Sequence, residues 1–282
     1  MKILVVGANG MIGSSLLRAW RDRHEVRGTI RGPSSDPAVF GGIDICRVGA
    51  VERTMDVFRP DVVVNAAGIV KQRTAPDAEF MEANAIFPRR LATHCNLRGV
   101  RLVLLSSDCV FSGLKGGYTE SDPPDPVDIY GFSRADGEIS CLGVLTLRTS
   151  VIGLEQTRFL GLVEWFLRQR GTVRGFRQAI YSGLTTGAVA PEILRLLEDF
   201  PKLWGIRHLA SDPIDKHALL TRLSALLGRT DIHIEPDDSL VCDRSLDASL
   251  LGVETGYVAP PWDYMLEGLA GEIRRRGADV HA

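Results

Sequence analysis

Two short stretches carry side chains whose types and spacing suit proton chemistry. Ser106-Ser107-Asp108 closes an apolar run, and Tyr130 stands four residues ahead of Arg134. Residues four apart share a face on a helix. A cation beside a phenol favours its ionised form. A phenol tuned in this way can give a proton to a carbonyl oxygen while a reductant attacks the carbon. Ser107, at the C-terminal end of a strand, is placed to hydrogen-bond the same oxygen. Taken alone, a tyrosine and an arginine at this spacing describe an ordinary helix surface. The serine strand, and a source of hydride elsewhere in the chain, turn them into a candidate reductase site.

That source is implied by Gly7-Ala8-Asn9-Gly10-Met11-Ile12-Gly13. Lys2-Ile3-Leu4-Val5-Val6 ahead of it is an apolar, β-branched run that predicts a buried strand. Met11, Ile12, Leu16, Leu17 and Trp20 behind it recur at helical spacing. Strand, glycine turn and helix start together form a dinucleotide-binding pattern, Gly-x-x-Gly-x-x-Gly, with one residue more than usual in its first gap. Gly7 allows the sharp turn, and Gly10 leaves no Cβ between backbone and pyrophosphate. Gly13 lets the helix pack on the strand, so that its free N–H groups, with Asn9, Met11 and Ile12, face the anion. The end of the second strand selects the cofactor. Arg31, with Arg27 nearby, occupies the place where an acidic residue would bind the ribose of NAD. A guanidinium favours the 2′-phosphate of NADP. Asp44 and Ile45 fall where a carboxylate and an apolar side chain would hold the adenine.

The elements that must position these residues alternate through the first 150 residues. Strands are predicted at Lys2–Val6, Glu25–Ile30, Ile43–Ile45, Val62–Gly68, Arg101–Ser107 and Val144–Arg148. Helices are predicted at Ala50–Phe58, at Glu79–Leu97 with Pro88 bending or breaking it, and from Ile129 with Asp128 as N-cap. Strands this apolar suit a parallel sheet covered on both faces. The fold class is therefore α/β, a Rossmann-type doubly wound parallel sheet, with a smaller C-terminal substrate-binding α/β region. The division falls at residues 1–152 and 153–282, the second part interleaved with the sheet. In that part we expect helices at Leu160–Arg170, Pro191–Leu197 and His217–Leu227, an irregular stretch from Gly175 to Gly187, and a strand at Ile206–Ala210 joining the sheet edge.

Composition narrows the function classes. The 282 residues are 45% hydrophobic, enough for one sizeable core. A net charge of −2 gives no nucleic-acid surface, and Arg274-Arg275-Arg276 reads as a solvated helix end. Five dispersed cysteines without metal or redox spacing fit a reducing cytoplasm. No metal is expected, since His208, His217 and His233 lack ligand spacing. Glycine interrupts the apolar N-terminus within seven residues, unlike a signal peptide, and no apolar run is long enough to span a bilayer.

The glycine turn, Asn65-Ala66-Ala67-Gly68, Ser107 and Tyr130 together resemble the extended short-chain dehydrogenase/reductases. Within them, Ser-Ser-Asp-Cys-Val-Phe-Ser-Gly from Ser106, Tyr118-Thr119-Glu120-Ser121-Asp122, Tyr130 to Arg134, Gly137-Glu138 and Leu147-Arg148-Thr149-Ser150 are similar to the dTDP-4-dehydrorhamnose reductase group. The resemblance is close over residues 1–155 and looser beyond. It implies reduction of a nucleotide-linked 4-keto sugar, with NADP(H) favoured and NAD(H) as the other option. Ser107 would polarise the keto oxygen, Tyr130 would donate the proton, and Arg134 would stand in for the family lysine that also holds the nicotinamide ribose. Ala66, Ala67, Gly68 and Ser106 would line the cofactor. Val70, Lys71, Asp108, Arg148 and Arg244 would meet the substrate. Arg174, Arg177 and Arg244 carry the bidentate chemistry a nucleotide pyrophosphate needs. Three departures stand out: arginine replaces lysine at 134, Val151 replaces the tryptophan common after Arg-Thr-Ser, and Cys109 replaces the acidic residue of related dehydratases. The last argues against dehydration. A nucleotide-sugar 4-epimerase, and a silent NADP-binding subunit that keeps the glycine turn, are the alternatives. A homodimer is compatible with all three.

Overall fold

Alternation within each strand decides how the chain stacks. Ile3, Val5, Val62, Val64, Val103, Leu105, Leu145 and Leu147 turn to one face of a central sheet. Leu4, Val6, Val63, Leu102, Leu104 and Val144 turn to the other. All are buried, so both faces need a helical cover. The computed structural model describes residues 1–157 and 159–280; Arg158, His281 and Ala282, all in the C-terminal part, lie outside it.

In chain order the elements are β1 (Lys2–Val6), α1 (Met11–Trp20), β2 (Glu25–Thr29), β3 (Val39–Phe40), α2 (Ala50–Phe58), β4 (Val62–Asn65), α3 (Asp77–Met81), a π-turn (Glu82–Ile86), α4 (Phe87–Arg98), β5 (Arg101–Leu105), a 3₁₀ turn (Asp108–Val110), α5 (Ile129–Asp136) and β6 (Val144–Arg148). There follow β7 (Val151–Ile152), α6 (Leu162–Arg168), β8 (Gly171–Phe176), β9 (Ala179–Tyr181), β10 (Leu184–Thr185), α7 (Thr186–Asp199), β11 (Gly205–His208), β12 (Ile214–Asp215), α8 (Lys216–Leu226), β13 (Ile232–Asp237), β14 (Cys242–Asp243), α9 (Ser249–Thr255) and α10 (Trp262–Val280). The central sheet has seven strands in the order β11-β6-β5-β4-β1-β2-β3. Every pairing in it is parallel. This is the expected doubly wound sheet, closed at one edge by the predicted strand near residue 206. Helices α1 and α7 cover one face and are joined by Trp20 Nε1, which donates to the Ala190 carbonyl at 2.8 Å. Helices α2 and α4 lie against the other.

The order reverses between β1 and β4, and a crevice opens where the chain leaves these two strands in opposite directions. Four local expectations change. The third strand is Val39–Phe40, not Ile43–Ile45. Gly42 turns the chain at φ +73°, after which the Asp44 carboxylate accepts from Cys46 N and closes a turn. The long helix is continuous but passes through the π-turn, with Phe87 N–H reaching back to Glu82 O just ahead of Pro88. The missing N–H of Pro88 is thereby accommodated near the start of α4 instead of breaking it. Residues 175–187 are not irregular: β9 pairs with β12 and β14, and β10 with β7, partners too distant for local pattern to show. For the same reason α7 begins at Thr186 and contains Pro191.

Candidate active site

Gly7 turns the chain at φ +84°, and a Cβ there would stand 2.8 Å from Ala67 Cα. The loops after β1 and β4 therefore touch across the crevice. A Cβ on Gly13 would meet the Gly7 carbonyl oxygen at 2.2 Å, so Gly13 sits beneath the turn and lets α1 approach it. Gly10, the N-cap of α1, offers no side-chain cap. The first N–H groups of the helix are thus left for a ligand, as an anion site requires. Gly7, Asn9, Gly10, Met11 and Ile12 line one end of a cleft of about 450 Å³, with Arg31, Asp44 and Ile45 further along. Arg31 is exposed at its rim. Arg27 is not available beside it. It donates to the Pro37 carbonyl and lies over the rings of Phe40 and Phe58.

Ala66, Ala67, Gly68, Val70 and Lys71 from the loop after β4 form the middle of the cleft, with Ser106, Ser107 and Asp108 from the end of β5 and Tyr130 and Arg134 from α5. Asp128 caps α5 by accepting from Gly131 N at 2.8 Å. Its other oxygen holds Lys71 Nζ at 2.6 Å. That pair ties the β4 loop to the helix bearing Tyr130. Tyr130 and Arg134 share a face as the spacing demands, with the guanidinium carbon 5.4 Å from the ring centroid. Arg134 Nη1 donates to the Leu105 carbonyl at 3.1 Å, fixing the side chain across the end of β5. Its Nη2 fills the space that a Cβ on Gly68 would take. Ser107 Oγ accepts from Cys109 N at 3.1 Å and donates to Asp108 Oδ1 at 3.0 Å. The serine is held at the strand end with a carboxylate beside it. Burial pushes the Cys109 thiol up to about 12, so it is neutral and no acid–base group for a dehydratase.

A residue the sequence reading missed ties these parts together. Asn84, in the π-turn and buried, accepts from Ile69 N and donates to Ile69 O and to Ser133 Oγ. One side chain thus holds the loop after Gly68 against α5. A polar residue in a buried helical turn was the available signal. The far wall was also missed. It includes Thr149, Ser150 and Val151, which enter the sequence reading only through the family resemblance, and Tyr181 and Lys216, which do not enter it. Burial lowers the Lys216 ammonium to about 8 against the opposing pull of Asp108.

Two predicted substrate residues do not line the cleft. Arg148 is 2% exposed and makes a two-pronged ion pair with Glu138, at 2.8 Å to Oε1 and 2.7 Å to Oε2. Ser106 Oγ also donates to Glu138 Oε1, at 2.6 Å. Arg148 Nη1 lies 3.3 Å from His208 Nε2. An arginine only donates, so Nε2 accepts and Nδ1 carries the proton, which it gives to the Asp247 carbonyl at 3.1 Å. Burial and the adjacent guanidinium lower His208 to about 4. Arg244 instead donates to the carbonyls of Phe111 and Ser112, pinning a C-terminal loop to the segment after β5. Arg174 and Arg177 point away from the site too, paired with Asp237 and Asp238 on the exposed β8–β13 ribbon. Among the described residues no cluster could hold a metal ion, and no helix is long and apolar enough to cross a membrane.

Comparison with known proteins agrees with this architecture. A crystal structure of a hypothetical dTDP-4-dehydrorhamnose reductase from Sulfolobus tokodaii superposes with a TM-score of 0.79 at 26% identity, covering 93% of this chain and 98% of that one. A probable low-salt glycan biosynthesis reductase, Agl14, of Haloferax volcanii is 31% identical over 228 residues, 75% of each chain. A dTDP-4-dehydrorhamnose reductase of Streptomyces griseus is 37% identical over 145 residues, half of this chain, and the match spans only 45% of that relative. Residues 1–225 match the family described as the RmlD substrate binding domain, and the chain belongs to that family.

Proposed function

We propose that the protein is an NADP-dependent reductase of a nucleotide-linked keto sugar, with residues 1–152 holding the cofactor and residues 153–282 shaping the substrate side. One observation carries the reading: Ser107, Tyr130 and Arg134 converge at the end of β5 in the same cleft as the uncapped glycine turn. The residues fit a dinucleotide, since Gly7, Gly10 and Gly13 leave a floor without side chains under uncapped helical N–H groups. A reduced nicotinamide bound there supplies the hydride. Ser107 donates its hydroxyl to the substrate carbonyl oxygen once it lets go of Asp108. Tyr130 gives that oxygen its proton. Arg134, anchored on Leu105 O, keeps positive charge beside the phenol and stabilises the phenolate left behind. The neutral thiol at 109, where related dehydratases carry an acidic residue, supports net reduction over dehydration. The five free cysteines support a cytoplasmic setting, and we expect a homodimer.

The test is product analysis with a dTDP-4-keto sugar and NADPH. The product should gain two hydrogens, one from the reductant, whereas an epimerase would return an isomer of unchanged mass. The cofactor choice gives a second expected result. Arg31→Ala should lose the preference for NADPH over NADH, because a charge-assisted contact contributes about 1.5–3 kcal/mol, roughly ten- to hundredfold in affinity. Dissociation constants for both cofactors in both proteins check this. An unchanged preference in the variant removes Arg31 from the phosphate site.

A further inference from the structure

The far wall of the cleft is built from elements far apart in sequence. Tyr181 ends β9, and Lys216 opens α8. The Lys216 ammonium sits 3.6 Å from the centroid of the Tyr181 ring. It makes no ion pair among the described residues, and Asp108 is the carboxylate that acts most strongly on it. The Tyr181 hydroxyl is buried and, among the described residues, has no hydrogen-bond partner, and neither has Thr149 Oγ1. All four groups line the cleft. Buried polar atoms are normally paired, so a wall with two orphaned hydroxyls and an unpaired ammonium is shaped for a ligand rich in hydrogen-bonding groups.

The mixture of roles says which ligand. An ammonium only donates and a carboxylate only accepts, while the two hydroxyls do both. Asp108 directly follows Ser107, beside the reacting carbonyl. A phosphate would meet the Asp108 charge as a repulsion. A polyol finds an acceptor and several donors at once.

We propose that Lys216 and Tyr181 read the hydroxyls of the hexose next to its carbonyl, so that this wall recognises the sugar and not the nucleotide diphosphate. This rests on the cleft being a nucleotide-sugar site. The substrate is then a keto sugar that keeps free hydroxyls beside the reacting carbon. Lys216 and Tyr181 set specificity, and neither handles the transferred proton.

Calorimetry on the NADP⁺-loaded protein tests this with two probe pairs, dTDP against dTDP-glucose and UDP against UDP-glucose. Wild type should bind the sugar nucleotide of at least one pair about tenfold more tightly than the bare nucleotide. Lys216→Met and Tyr181→Phe should each shrink that difference and leave affinity for the nucleotide alone unchanged. Tyr181→Phe removes one oxygen and keeps the packing, so it remains informative if Lys216→Met fails to fold. An undiminished sugar increment in the variants overturns the proposal. An equal loss with and without the sugar also overturns it and moves the ammonium to the diphosphate. In both cases the nucleotide-sugar reading survives. Wild type that binds none of the four probes removes that reading together with the inference.

Discussion

Tyr130→Phe should lower turnover by about 10²–10⁴-fold while leaving NADPH affinity unchanged. The substitution removes one hydroxyl. The ring stays, and with it the stacking of the Arg134 guanidinium at 5.4 Å. No intramolecular hydrogen bond of the hydroxyl holds the fold together among the described residues, so stability should not change. The loss belongs to the step in which the carbonyl oxygen acquires its proton, and it should appear in kcat more than in KM. Steady-state kinetics with NADPH titrations on both proteins gives the comparison. A phenylalanine variant with full activity would mean that the proton comes from elsewhere, with Ser107 the next candidate.

The second large effect concerns stability. Arg148→Met should destabilise the protein by about 3–5 kcal/mol, because it leaves the Glu138 carboxylate buried without its cation. Both side chains are nearly inaccessible, 2% for Arg148 and 4% for Glu138. The same change also strips His208 Nε2 of its donor. The double variant Arg148→Met with Glu138→Leu should recover much of the loss, since an apolar pair has no charge to desolvate. Urea unfolding of the three proteins measures this as a shift in midpoint at constant slope. A residue that met substrate would behave differently, raising KM with the midpoint unmoved.

The placement of Arg148, buried against Glu138, marks the limit of what the sequence shows. The glycine turn, the apolar strands and the Tyr130–Arg134 face were legible because each depends on neighbours within a few residues, where spacing alone fixes direction. Asp128 was readable as a cap for the same reason. An arginine at a strand end is different. Its side chain can turn into the cleft or under the sheet, and Glu138 and His208, which decide the matter, come from other elements. Arg244 was misplaced likewise, since its carbonyl partners lie some 130 residues away. Residues 43–45 looked like a strand by their apolar content, but Gly42 and the Asp44 turn set the backbone. Lys216 and Tyr181 gave no local signal. Only the pairing of β9 with β12 brings the ends of two distant segments together beside Asp108. Asn84 was hidden by the π-turn, whose altered register turns an ordinary helical position toward α5.

Position 134 separates an active reductase from a cofactor-binding subunit. Arginine either does the family lysine's work from its anchor on Leu105 O, or occupies the position because that work has ceased. The decisive measurement is NADPH oxidation by wild type, Arg134→Ala and Arg134→Lys across a panel of nucleotide 4-keto sugars, followed by the absorbance of the reduced nicotinamide. The account predicts substrate-dependent turnover by wild type, loss of both rate and cofactor affinity in Arg134→Ala, and no gain in Arg134→Lys. Tight NADPH binding without turnover on any sugar, with activity emerging only in Arg134→Lys, would contradict it and mark the chain as a cofactor-binding subunit.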